Sequence, residues 1–352
     1  MSPAPASPTP WARVVALGLG VALVVGVLVA AFSWPVTASE PRQLPVALVA
    51  PDAVAEQLED ALAARAEGAL DIRPAADRDE AVMLIETREV YGAIVVGETP
   101  EVLVTSAGSA PVAQLLTAMA TPLEAQLQQA ADAQAAAMGA PAAPDVVVAV
   151  TDVVPLVEAD PRGAGLTVSA FPLVLGGMAG GIVIGLAVAG FWRRMAALAV
   201  YALAGGFVTA AVLQGWFQVL PGDYLLNSLT FALAFAAIGA PIVGFVAVLG
   251  RPGAALGPIV FLLFANPISS AAQPVQFLPE PWGAVGQWFP PGAAATLLRD
   301  VTYFPAADAT FPWLVLAGWT VGGVVLAALG TLRRPRRAAG ADAPEEPALA
   351  AA

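Results

Sequence analysis

Histidine and cysteine are both absent from the 352 residues. Without them there is no imidazole base, no thiolate nucleophile, no disulfide, and no nitrogen or sulfur ligand set for zinc or an iron–sulfur cluster. Carboxylates, arginines, hydroxyls and amides are left to do any chemistry. Asp77, Asp79 and Glu80 form a tight carboxylate group. A calcium loop alternates oxygen ligands around a glycine turn, and no such glycine follows them. Their spacing fits a capped helix with a solvated acidic face. No GxGxxG, Walker A or GxSxG segment occurs, so the usual phosphate-cradling and serine-nucleophile turns are missing. The expectation is a protein that is not an enzyme and carries no cofactor or metal.

The elements that must hold the remaining groups are those of a membrane protein. The composition is 58% hydrophobic and 12% charged, about half the charge of an ordinary soluble domain. Long uncharged stretches read as bilayer-spanning helices. They predict six spans, over 13–32, 165–192, 197–219, 226–249, 254–270 and 311–332. The fifth is interrupted by Asn266-Pro267, and proline ends or breaks a helix. The net charge of −12 is concentrated in residues 40–160, which alone carry −15, while the rest carries +3. An acidic globule on a mildly basic membrane body argues against nucleic acid as a partner; the lipid bilayer is the implied one.

Arginines beside the spans set an orientation. Arg13, Arg193, Arg194, Arg251 and the group Arg333, Arg334, Arg336 and Arg337 fall on one side of six spans, with Arg162 and Arg299 on the other. This predicts a multi-pass protein of the cell membrane with both termini cytoplasmic. Residues 1–12 form a leader, 13–34 the first transmembrane helix and 40–160 an extracytoplasmic domain. Residues 165–332 form a five-helix membrane domain, and 333–352 a disordered cytoplasmic tail. Val36-Thr37-Ala38 also fits a signal-peptidase site, but the apolar run before it is long for a signal, so an uncleaved anchor is expected.

Within 44–155, strand and helix patterns alternate. Strands are expected at 44–50, 69–72, 91–96, 101–106 and 145–154. Helices are expected from Asp52 to about residue 66, at 77–89 and at 111–138. Such alternation implies a largely parallel sheet with a two-layer core. The predicted fold class is thus an α-helical polytopic membrane protein with an α/β extracytoplasmic domain inserted between spans one and two.

The predicted spans contain no ionisable residue well inside them, which argues against proton coupling or a charge-lined pore. Gln214 and Asn266 are the main amides there. Small residues stand out instead. Gly176, Gly177, Gly180, Gly181 and Gly185 give the second span a smooth face, and Gly318 and Gly322 do the same for the last. Such faces let helix backbones approach closely, either in a static bundle or in a homodimer. Segment 272–310 is rich in proline and aromatics, including Trp282 and Trp288. Tryptophan favours the headgroup layer, so this segment reads as a re-entrant or interfacial pair of short helices capping the outer side.

This plan resembles the membrane subunits of type-2 ABC exporters and the related phage-infection-protein membrane family, in its actinobacterial form. The residues that carry the resemblance are Arg88-Glu89-Val90-Tyr91-Gly92-Ala93-Ile94-Val95, the glycine-rich second span, and Asn266-Pro267 followed by Leu278-Pro279-Glu280-Pro281-Trp282-Gly283. The resemblance implies a permease moving an apolar or amphipathic solute, with energy from a separate ABC ATPase. That ATPase would grip the cytoplasmic side, where Arg193, Arg194 and Arg251 are the candidate contacts. The loops there, 192–195 and 250–253, are short for coupling helices. A non-transporting envelope protein whose outer domain binds a partner is the alternative expectation.

Overall fold

The computed structural model describes residues 9–51, 55, 68–97, 99–140 and 143–333. Two bodies, a sheet domain and a helical bundle, are preceded in the chain by a helix that stands largely by itself. This helix, α1 (Trp11–Thr37), is apolar along its length with only Pro35 buried. It runs a few residues beyond the expected span at both ends.

The sheet domain holds five strands, β1 (Leu44–Val49), β2 (Leu70–Pro74), β3 (Gly92–Val95), β4 (Glu101–Val104) and β5 (Ala149–Asp152), in the order β2-β1-β3-β4-β5. The β3–β4 pair is antiparallel and the other three are parallel. The sheet is therefore mixed, because the connection from Val95 to Glu101 is too short for a crossover and makes a hairpin. The helix expected after Asp52 lies outside the described residues.

Helices cover both faces of the sheet, so the core has three layers where two were expected. The strands are apolar on both sides, and successive side chains point to opposite faces. Leu44, Val46, Leu48, Ile94, Val102 and Val104 pack with α3 (Ala110–Ala137). Ala47, Ala93, Val95 and Leu103 pack with α2 (Arg78–Glu86) through Ala81 and Ile85. The Asp77 side chain caps α2 by accepting from the Glu80 N–H at 2.8 Å, and the Glu80 carboxylate accepts from the Ala76 N–H at 2.6 Å. This reciprocal arrangement satisfies two otherwise orphaned donors; it is what Asp77 and Glu80 do, while Asp79 adds a negative charge to the first turn of the helix.

The membrane body contains α4 (Ala164–Ala187), α5 (Phe191–Ala210, continued as a π-helix to Trp216), α6 (Tyr224–Leu249) and α9 (Thr310–Arg333). With α1, these give five helices long and apolar enough to cross a membrane. The fifth expected span is a shorter apolar helix, Arg251–Ala265, built from a 3-10 turn and a π-helical segment (Pro258–Ala265). Pro258 marks where its π-helical segment begins, and the helix ends before Asn266-Pro267. Helix α6 is the centre of the bundle: 72% of its most apolar window is buried, against 44% for α4, 28% for α9 and 22% for α5.

Segment 272–310 folds as a 3-10 turn (Val275–Phe277), α7 (Trp282–Gly286) and α8 (Pro290–Tyr303). It touches both bodies, and the candidate sites gather around it.

Candidate functional site

The junction between outer domain and membrane body is built from polar groups held by short elements. Helix α2 ends at Thr87, and Arg88 adopts a left-handed backbone (φ 60°) while its N–H donates to the Ile85 carbonyl at 3.0 Å. From this cap its guanidinium Nη1 donates to Asp300 Oδ1 on α8. The Asp300 side chain is 5% exposed and that of Arg88 17%. The same guanidinium lies 5.3 Å from the centre of the Phe304 ring, a cation–π distance.

The two residues before β3 extend this contact. Tyr91 donates its hydroxyl to Gln276 Oε1 at 3.2 Å, and burial pushes its pKa above the ordinary tyrosine value. Phe277 packs against the outer-domain core. The stretch leaving α1 pairs with the same turn: the Glu40 N–H donates to the Phe277 carbonyl at 3.2 Å and the Arg42 N–H to the Gln276 carbonyl at 3.1 Å. Trp34 meets Trp282 edge-to-face at 6.1 Å. Segment 272–310 is thus the piece on which α1, the sheet domain and the bundle all rest.

Burial dominates the electrostatics here. It raises the Asp300 carboxyl above the usual carboxylate range, outweighing the nearby Arg88 and Arg299. It lowers the Arg299 guanidinium to about 10, with the like charge of Arg88 as the next cause. A buried ion pair of this kind specifies how two bodies dock more than it adds stability.

The second feature is an apolar groove of about 540 Å³ between α6 and α9. Pro241, Phe245, Trp288, Gly318, Trp319 and Gly322 are among its walls. Trp288 meets Phe311 at 4.9 Å, and the Trp319 indole N–H donates to the Trp288 carbonyl at 2.8 Å. No ionisable side chain lines it.

The glycines singled out in the sequence separate into two groups. On α4, a Cβ at Gly181 would stand 2.9 Å from the Gly239 Cα of α6, so only glycine allows this crossing. Gly177 and Gly185 face Ile238 and Val246 of α6, Gly176 faces its Phe235, and Gly180 faces the Tyr201 ring of α5. This glycine face is used within the chain. Gly318 and Gly322 have nothing within 4 Å of an added Cβ and form the floor of the groove, whereas their neighbour Gly323 takes the close approach, against Ala240 and Pro241.

The arginine pair also divides. Arg193 is exposed. Arg194 is 8% exposed; its Nε donates to the Val188 carbonyl at 2.7 Å and its Nη2 to the Gly185 carbonyl at 2.9 Å. It closes the C-terminal end of α4, where a cation meets free carbonyls. Arg251 is exposed. The Asn266 carbonyl accepts from the Ser269 hydroxyl at 2.7 Å and begins the turn at Pro267. Trp282 packs on Phe264 at 6.1 Å.

Sequence reading missed Arg88, Tyr91 and Asp300 as a unit. Its available signal was weak: an Arg299-Asp300 pair in an otherwise apolar segment. Among the described residues no group of three or more His, Cys, Asp or Glu could hold a metal ion. No protein-family model matches the chain, and neither does any curated protein or solved structure.

Proposed function

We propose that the chain is the membrane permease subunit of an ABC-type exporter, pairing with itself and moving an apolar or amphipathic solute with energy from a separate ATPase. The observation that supports this reading is the groove between α6 and α9. Its volume of about 540 Å³ falls in the range of sites for small organic molecules. Its walls are hydrocarbon and aromatic, and on its α9 side Leu314 is 65% exposed, as expected of a site filled from lipid. Ion coupling needs ionisable or clustered oxygen ligands inside the membrane, and the groove offers none, so the work has to come from a partner.

The test is gentle purification from the native membrane, with efflux measured in a deletion strain. Copurification of an ATPase of the ABC class, together with reduced efflux of an amphipathic dye, supports the permease. If no ATPase copurifies and efflux is unchanged, the alternative stands: a non-transporting envelope protein whose outer domain binds a partner. One observation favours that alternative. With Arg194 turned inward, the short loops keep only Arg193 and Arg251 as exposed arginines for an ATPase to grip.

A further inference from the structure

A second cavity lies where the outer domain meets the membrane body, apart from the groove and making no assumption about transport. It measures about 290 Å³. Ser106, Ser109 and Gln114 line it from the sheet domain, Arg162 and Thr167 from the start of α4, and Arg299 from α8. Among the described residues neither arginine makes a direct ion pair; Asp300 attracts Arg299 only at longer range, against the repulsion of Arg88. Arg299 makes one hydrogen bond among the described residues, a long one, from Nη2 to the Ala271 carbonyl at 3.4 Å.

The carboxylates nearby are already committed. Asp160 accepts from the Ala164 and Gly165 N–H groups at 2.9 and 2.7 Å. Asp152 accepts from Ser106, and Asp300 is held by Arg88. None of the three lines the cavity. Two guanidiniums therefore line one polar pocket with the Ser109 and Thr167 hydroxyls and the Gln114 amide, while the Ser106 hydroxyl is committed to Asp152 and no carboxylate residue is in the wall. The 28-residue α3 adds its N-terminus, with Ser109 as N-cap and Ala110 and Pro111 in the wall, and a helix N-terminus favours negative charge. Burying a cation without a partner is costly, and the lowered pKa of Arg299 registers that cost.

We propose that this cavity binds an anionic phosphate group. Forked guanidinium donors match phosphate oxygens in geometry and charge. The position favours a lipid headgroup as the source. Val168, also in the wall, begins an exposed apolar row on α4 that continues through Phe171 and Leu175, a surface along which an acyl chain lies while its phosphate reaches the arginines. A phosphate free in solution carries the same chemistry.

The experiment titrates the detergent-purified full chain with phosphatidylglycerol, diacylglycerol or inorganic phosphate and follows the melting temperature. Phosphatidylglycerol is expected to stabilise the protein saturably, and Arg162→Gln to raise its half-saturating concentration roughly tenfold, the loss of one charge-assisted hydrogen bond. Arg162 is exposed, so this variant folds whether or not Arg299→Gln does. Saturation by inorganic phosphate alone, with the same sensitivity to Arg162→Gln, supports the phosphate site and assigns it to the free ion. The proposal is overturned if diacylglycerol, which has the same acyl chains and no phosphate, saturates as readily as phosphatidylglycerol, or if Arg162→Gln leaves the half-saturating concentration unchanged. Absence of an ATPase partner or of efflux does not bear on this measurement.

Discussion

Arg88 and Asp300 stand 212 residues apart in the chain and share a buried hydrogen bond. One sits on the left-handed cap of a helix in the outer domain, the other on a short helix above the bundle. That contact, with the Tyr91–Gln276 hydrogen bond and the packing of Phe277, ties the sheet domain to the helical bundle.

The two partners are expected to respond unequally to substitution. Arg88→Ala leaves a buried carboxylate without its cation and should cost about 3 kcal/mol. Asp300→Asn keeps an acceptor for Arg88 and removes the buried charge, so it should cost under about 1 kcal/mol at pH 7. Chemical unfolding in detergent measures both. Equal losses would show that Asp300 is held mainly by attraction to Arg88 and not penalised by burial.

The same carboxyl gives a pH dependence of known sign. Its pKa is raised in the folded state, so the proton binds more tightly folded than unfolded. The associated stabilisation is complete below the unfolded carboxyl value and is lost as pH rises through the folded one. Melting curves between pH 4 and 8 should therefore show wild type losing ground to Asp300→Asn as pH rises. A gap that is constant with pH, or that closes upward, contradicts this.

Backbone and side chain at position 88 can be separated. The left-handed conformation costs a non-glycine residue about 1 kcal/mol. Arg88→Gly and Arg88→Ala both lose the ion pair, but glycine should be the more stable of the two by roughly that amount. Identical melting temperatures would mean that the cap rearranges once the arginine is gone.

The two glycine groups should behave as opposites. Gly181→Leu drives a side chain into the Gly239 backbone, and we expect loss of folded protein; even Gly181→Ala should cost about 1–3 kcal/mol. Gly318→Leu meets open space and should leave yield and melting temperature unchanged. Because it fills the groove, the permease reading expects lost efflux from that well-folded variant. Normal efflux would remove the groove from the transport path.

A chain without cysteine allows clean topology mapping. Ala140→Cys should react with a membrane-impermeant maleimide on intact cells, and Arg193→Cys only after permeabilisation. The reverse pattern would invert the orientation drawn from the arginines.

What the sequence determined by itself is local. Span length and apolarity are properties of a stretch, so α1, α4, α5, α6 and α9 were readable where no charge interrupts them. Asp77 could be read as a cap because its partner, Glu80, is three residues away. Strand positions followed from short apolar runs. Tertiary structure decided whatever depends on which surfaces meet. Helix α6 looks like the other spans in composition, yet it alone is surrounded, because α4, α5 and α9 all pack on it. The hairpin direction at β3–β4 and the second covered face of the sheet depend on connection length and on which helix lands where. Gly181 and Gly318 are equivalent as letters in a four-residue spacing, but one meets a backbone and the other faces an open groove. Arg194 was legible as a charge beside a span; that it turns back to close α4 depends on the turn at Gly190 (φ 88°). The pairing of Arg88 with Asp300 had no local trace, because a contact over that separation is specified only by the docking of two already folded surfaces.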